Sequence, residues 1–115
     1  MQYLLLIYEA EEIWENLSED EKNSVLARHG ELTDRLQADG IEYVANPLQP
    51  TAAAVSLRSR GGELQISDGP FAETKEQLAG FYLVDVDSLE EAMTYAAMIP
   101  TVDVGTIEVR PVGLH

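Results

Sequence analysis

Two residues of this 115-residue chain stand where proton-transfer chemistry could be built, His29 and Asp68. His29 belongs to a segment with helical periodicity. At about 100° per residue, Val25, Leu32 and Leu36 fall in one narrow stripe, and His29 falls inside it. The imidazole is thereby aimed at the layer the helix covers. Asp68 ends a strand pattern and shares the parity of Leu64 and Ile66, so a regular strand points all three side chains the same way. If that layer faces the helix, imidazole and carboxylate converge. A carboxylate beside a histidine orients one tautomer and favours the imidazolium, as a general base requires. Both residues also fit structural roles. A histidine on an apolar helix face packs as a hydrogen-bonded core residue, and an aspartate before Gly69-Pro70 caps a turn. Spacing leaves both open.

The other candidates are single residues. Tyr3, Tyr8 and Tyr82 lie on strand patterns and can line a pocket or pack in a core. Lys75, beside Glu73 and Glu76, can meet an anionic substrate group or pair with a surface acid, and Arg58 and Arg60 can do the same on a hairpin. His115, at the end of the chain, is expected to be disordered. Two histidines far apart and scattered carboxylates give no metal-ligand spacing. There is no phosphate loop, dinucleotide fingerprint or serine nucleophile elbow, so no cofactor is expected.

These residues need elements to hold them. Gln2 to Tyr8 reads as a strand that is apolar on both alternating sets, hence buried on both faces. Ser18-Glu19-Asp20-Glu21 is a capping box that opens a helix to about Asp39, where Gly40 stops it. Ile41 to Leu48 reads as a second strand whose prolines place it at an edge. Thr51 to Arg58 continues extended, Gly61-Gly62 marks a turn, and Glu63 to Ser67 returns. Phe81 to Val86 is another two-faced strand. Ser88-Leu89-Glu90-Glu91 opens a second helix to about Met98. Thr106 to Arg110 closes the chain with an alternating, one-faced strand in which Arg110 takes the polar side. The dense acidic run Glu9 to Glu21 reads as a solvated surface, pinned by Ile13, Trp14 and Leu17.

That order is α+β: a ferredoxin-like split βαβ with an antiparallel sheet, in one domain over residues 1–115. In this plan the first and third strands of the frame are central and the last is an edge, as the apolar patterns require. Two helices cover one face of such a sheet. The apolar residues of the other face need a cover too, and a second copy of the chain supplies the simplest, a homodimer.

Composition bounds the function. Acids outnumber bases 21 to 7, for a net charge of −14. That excludes the usual nucleic-acid binder and docking on an anionic membrane. There is no cysteine, so disulfide and thiolate chemistry are excluded. The longest unbroken apolar run, Tyr3 to Tyr8, falls far short of the ~20 residues that span a bilayer, and no basic region precedes it. A cytoplasmic protein is expected.

The run from Asp68 to Leu83, DGPFAETKEQLAGFYL, strongly resembles the DGPF branch of the YCII-related family. The opening strand Tyr3 to Tyr8, Leu48-Gln49-Pro50 and Ile107-Glu108-Val109-Arg110-Pro111 are similar to other parts of it, so the resemblance covers nearly the whole chain. It implies a dimeric α+β barrel. It implies a bacterial context beside alternative sigma factors for some relatives. It also implies a His–Asp pair in a pocket, which here would be His29 and Asp68, with Tyr8, Lys75 and Tyr82 as substrate-binding candidates. Many DGPF relatives look more like tyrosine than histidine at the helix position, and Gly30 follows where a larger residue is common. Two expectations result. One is a small lyase- or isomerase-like enzyme in which His29, oriented by Asp68, moves a proton on a small organic molecule. The other is a non-catalytic ligand-binding or partner module linked to transcription regulation.

Overall fold

The computed structural model describes residues 1–113, and His115 lies outside them. Strands β1 (Gln2–Glu9), β2 (Tyr43–Pro47), β5 (Gln77–Asp85) and β6 (Thr106–Pro111) form one antiparallel sheet in the order β2-β5-β1-β6. Strands β3 (Val55–Arg60) and β4 (Glu63–Asp68) form a separate two-stranded sheet. Helices α1 (Glu11–Glu15), α2 (Glu19–Ala38) and α3 (Leu89–Ala96) complete an α+β fold consistent with the ferredoxin-like plan.

The two-faced strands take the two central places, and the alternating strand β6 takes an edge. On β1, Tyr3, Leu5 and Ile7 are buried against the helices, joined by Tyr82 and Val84 of β5, Leu32 and Leu36 of α2, and Ala92, Tyr95 and Ala96 of α3. Both long helices therefore feed one core on one face. The opposite face keeps Leu4, Leu6, Phe81 and Leu83 half-buried, with Val44 of β2 53% exposed. Cross-strand register aligns Val44, Leu83 and Leu4 in one row and places Phe81 and Leu6 in the next.

The capping box at Ser18 is complete: its hydroxyl accepts from Glu21 N and the Glu21 carboxylate accepts from Ser18 N. Ser88 caps α3 through Glu91 N. Gly61 and Gly62, at φ 60° and 81°, form the two-residue loop between β3 and β4. Two positive φ angles in such a loop define the type I′ turn that matches strand twist.

Five expectations shift. Thr51–Ala53 is a 3-10 turn, and extended chain begins only at Val55. The second strand is shorter than Ile41 to Leu48, at Tyr43–Pro47, and the strand at Phe81 starts four residues earlier, at Gln77. The last helix ends at Ala96 rather than near Met98. The acidic run is not simply solvated surface. Within it α1 turns back on the body, where Glu11 accepts hydrogen bonds from Thr51 N at 2.6 Å and Thr51 Oγ1 at 3.2 Å. Its own amide donates to Gln77 Oε1 at 3.0 Å.

Candidate functional site

His29 comes to the sheet from the apolar stripe of α2, three residues before Leu32, which is fully buried. Its neighbour across the layer is Tyr82. Parity sets this: Tyr82 lies between Gly80 and Val84 on the helix-facing side of β5. Nδ1 of His29 and the Tyr82 hydroxyl are 2.6 Å apart, and the two rings are stacked with centroids 5.9 Å apart and planes 9° from parallel.

The pair opens on a cavity of about 520 Å³. Its apolar wall includes Ile7, Trp14, Val25 and Leu48, and its acidic groups are Glu9, Glu11 and Glu15. Among the described residues no lysine or arginine lines it. Gly80 sits in this wall where β5 passes β2; a Cβ there would stand 2.9 Å from the Asn46 carbonyl oxygen. Trp14 is held from outside by Lys22, whose ammonium lies 5.5 Å from the indole ring. The acidic helix α1 thus forms a side of the cavity, tied down by the Glu11–Thr51 contact.

Burial decides the charge states. It lowers the His29 pKa below its ordinary 6.5, and the charge of Arg28 adds to the effect, so the imidazole is neutral at pH 7. Burial, with Tyr43 nearby, pushes Tyr82 up to about 12, so the phenol keeps its proton. Burial also raises the Glu9 carboxyl above its usual 4.5. The Tyr82 hydroxyl is buried and has one partner among the described residues, His29 Nδ1. A buried O–H needs an acceptor, so Tyr82 donates to Nδ1 and the imidazole hydrogen sits on Nε2. That nitrogen is the donor that His29, which lines the cavity, has free for a further partner.

The other expected site residues lie elsewhere. Asp68 ends β4, is exposed, and pairs across the hairpin with Val55. It is absent from the walls of the His29 cavity, and the partner of His29 is Tyr82. Asp68 does share its side with Leu64 and Ile66, as parity requires. That side faces outward, because β3 and β4 do not join the four-stranded sheet. Within one chain the convergence of imidazole and carboxylate does not occur. Lys75 lines a second, shallow depression of about 750 Å³ together with Glu12, Glu15 and Glu73. Tyr8 follows an irregularity in the β1–β5 register, between Ile7 and Tyr8, and is not in the wall of the His29 cavity.

The YCII-related domain model matches residues 1–113. The chain belongs to the YCII-related family. An uncharacterized protein of Rhizobium meliloti (strain 1021) is 40% identical over 118 residues, covering all of this chain and 94% of the relative. In this member of the YCII-related family the residues sequence reasoning missed as a site are Glu9, Glu11 and Trp14, and it placed Tyr82 as pocket lining rather than as the partner of His29. The apolar residues spaced through the acidic run were the available signal for α1. The strand parity of Tyr82 was the signal for its side of the sheet.

Proposed function

We propose that this YCII-related protein is a cytoplasmic homodimer that binds a small, apolar, uncharged or cationic organic molecule and shares a proton with it through His29. The observation that carries this reading is the cavity of about 520 Å³ that holds His29, three glutamates and, among the described residues, no lysine or arginine. An anionic ligand there would meet carboxylates in a partly dry site, which is unfavourable. An amine, or a carbonyl or hydroxyl compound without charge, meets no such opposition. Lys75, the expected partner of an anionic group, borders the other depression.

His29 suits that ligand. Its Nε2–H can donate to a carbonyl or hydroxyl oxygen and stabilise negative charge that develops there. The same ring becomes a base at Nε2 when its hydrogen moves to Nδ1 and points at the Tyr82 oxygen, leaving the phenol hydrogen without its acceptor. Tyr82 replaces Asp68 as the group that orients the ring. The half-buried row of Leu4, Leu6, Phe81 and Leu83, with exposed Val44, supports dimerisation through the open face of the sheet. The lack of cysteine accords with a reducing compartment. A second reading draws on the position of Asp68: with Tyr82 rather than a carboxylate hydrogen-bonded to the imidazole, the cavity would sense a ligand without turning it over and pass the signal to a transcription-linked partner.

A titration of the His29 imidazole by NMR against matched phenols, ketones, amines and carboxylates tests the proposal. Uncharged compounds and amines are expected to shift the His29 signals, and His29→Gln to abolish their binding. Carboxylates that bind equally well at His29 would overturn the charge reading. Binding without turnover in any compound of the panel would select the sensor. Light scattering tests the homodimer, which is expected at twice 12.7 kDa.

A further inference from the structure

The β3–β4 hairpin is the part of the molecule that the fold does not use. Its residues pair only with each other, and no strand of the four-stranded sheet pairs with them. Its two sides differ sharply. In the antiparallel register Val55, Leu57, Leu64 and Ile66 share one side, and Ser56, Arg58, Gln65 and Ser67 share the other. The four aliphatic side chains are 54% to 65% exposed, and Phe71, just past the root, is 77% exposed. An amphipathic ribbon with its apolar side in water is unfavourable as it stands.

The size of the molecule shows how much surface is left uncovered. The chain exposes 7931 Å². A folded monomer of 12.7 kDa exposes about 6,200 Å² by the usual scaling. The excess is well above the ~800 Å² per partner that a standard interface buries. The radius of gyration tells the same story: 16.2 Å, against about 13 Å for a compact chain of this length.

Charge says which partner. Residues 55–68 carry two arginines and two acids, so the hairpin is neutral while the rest of the chain holds the whole −14. Arg58 and Arg60 form no ion pair among the described residues, where the salt bridges belong to Met1, Arg28, Arg35 and Arg110. Two copies of this chain, each at −14, repel each other as wholes, and the neutral hairpin is a segment whose approach to a second copy adds no net charge; Arg58 and Arg60 stand on its polar side, away from the aliphatic residues.

We propose that the β3–β4 hairpin is an exchange arm: in the homodimer its apolar side, Val55, Leu57, Leu64 and Ile66, packs on the second copy of the chain. This rests on the dimer proposed above and adds a second contact to the one made by the open face of its sheet. It also gives Asp68 a place, since the carboxylate stands on the docking side and so belongs to the contact between copies.

The test uses the full chain. Leu64→Asp/Ile66→Asp is expected to raise the dimer dissociation constant at least ~30-fold, the scale of losing one central anchor. Far-UV circular dichroism is expected to stay unchanged, because the arm does not support the core. Gln65→Asp, on the polar side, is expected to leave the dimer intact. A second measurement needs no disruptive change. Gln65→Cys, the sole cysteine of its chain, takes a nitroxide label and is mixed with isotope-labelled wild type until subunits exchange. Broadening of amides in the isotope-labelled copy is expected. A wild-type monomer would overturn the dimer and the arm together. A wild-type dimer that survives Leu64→Asp/Ile66→Asp, or that shows no intermolecular broadening, would overturn the arm alone.

Discussion

His29 marks how far a single residue can be read. Its aim was legible, because a helix stripe of Val25, Leu32 and Leu36 fixes the direction of everything within it. Its partner was not. Parity says which side of a strand a residue takes, but not which sheet the strand joins, and Asp68 went to the hairpin while Tyr82 took the place opposite the helix. Two outcomes follow at this scale. The folded-state pKa of His29 is depressed, so the unfolded chain takes up the proton more readily. The stabilisation His29 brings is thus complete above about pH 6.5 and is lost as pH falls toward the lower folded value. Calorimetry is expected to show this slope in wild type and its loss in His29→Gln. Glu9 acts with the opposite sign. Its raised pKa favours folding as pH falls toward 4.5, so the difference between the two proteins isolates the histidine. The second outcome concerns Tyr82→Phe. It keeps the ring stack and removes the hydroxyl, at an expected cost of about 1 kcal/mol in denaturant unfolding. Imidazole ¹⁵N shifts are expected to change from one tautomer to a mixture.

Elements were more legible than their ends. The Ser18 capping box, the Ser88 cap, the two-faced central strands and the Gly61-Gly62 loop carry local signals that the structure repeats, although the Glu91 carboxylate accepts from Asp87 N and so leaves the second capping box half formed. Thr51–Ala53 carried none, since the turn there is imposed by Glu11 reaching across from α1. α1 itself was masked by its charge: Glu11 and Glu15 look like solvent-facing acids until the cavity behind them is seen. Ser18→Ala is expected to cost about 1 kcal/mol and to lower Tm by roughly 4 °C. Glu11→Ala is expected to cost about 1 kcal/mol, as the half-buried Thr51 amide loses its acceptor. Hydrogen exchange at Thr51 distinguishes the two, because only the second variant is expected to accelerate it.

At the scale of the whole molecule, strand order was legible because burial on two faces and burial on one face belong to different places in a sheet. The overall shape was not. Principal extents of 50 × 41 × 18 Å describe a flat body with a projecting ribbon, and nothing in the order of elements announces that the ribbon stands apart. Seven bases cannot neutralise 21 acids, so added salt is expected to raise Tm, steeply between about 0.01 and 0.1 M where screening changes most. The same charge has a colloidal role. The hairpin has two free edges, each a row of backbone donors and acceptors that another ribbon could extend. Repulsion between acidic bodies keeps such ribbons from stacking in series, and it weakens as solution pH nears the isoelectric value of about 4.2. Solubility in this protein is therefore a long-range property that protects a short-range weakness: what the ribbon's edges leave open, the charge of the rest of the chain keeps at a distance.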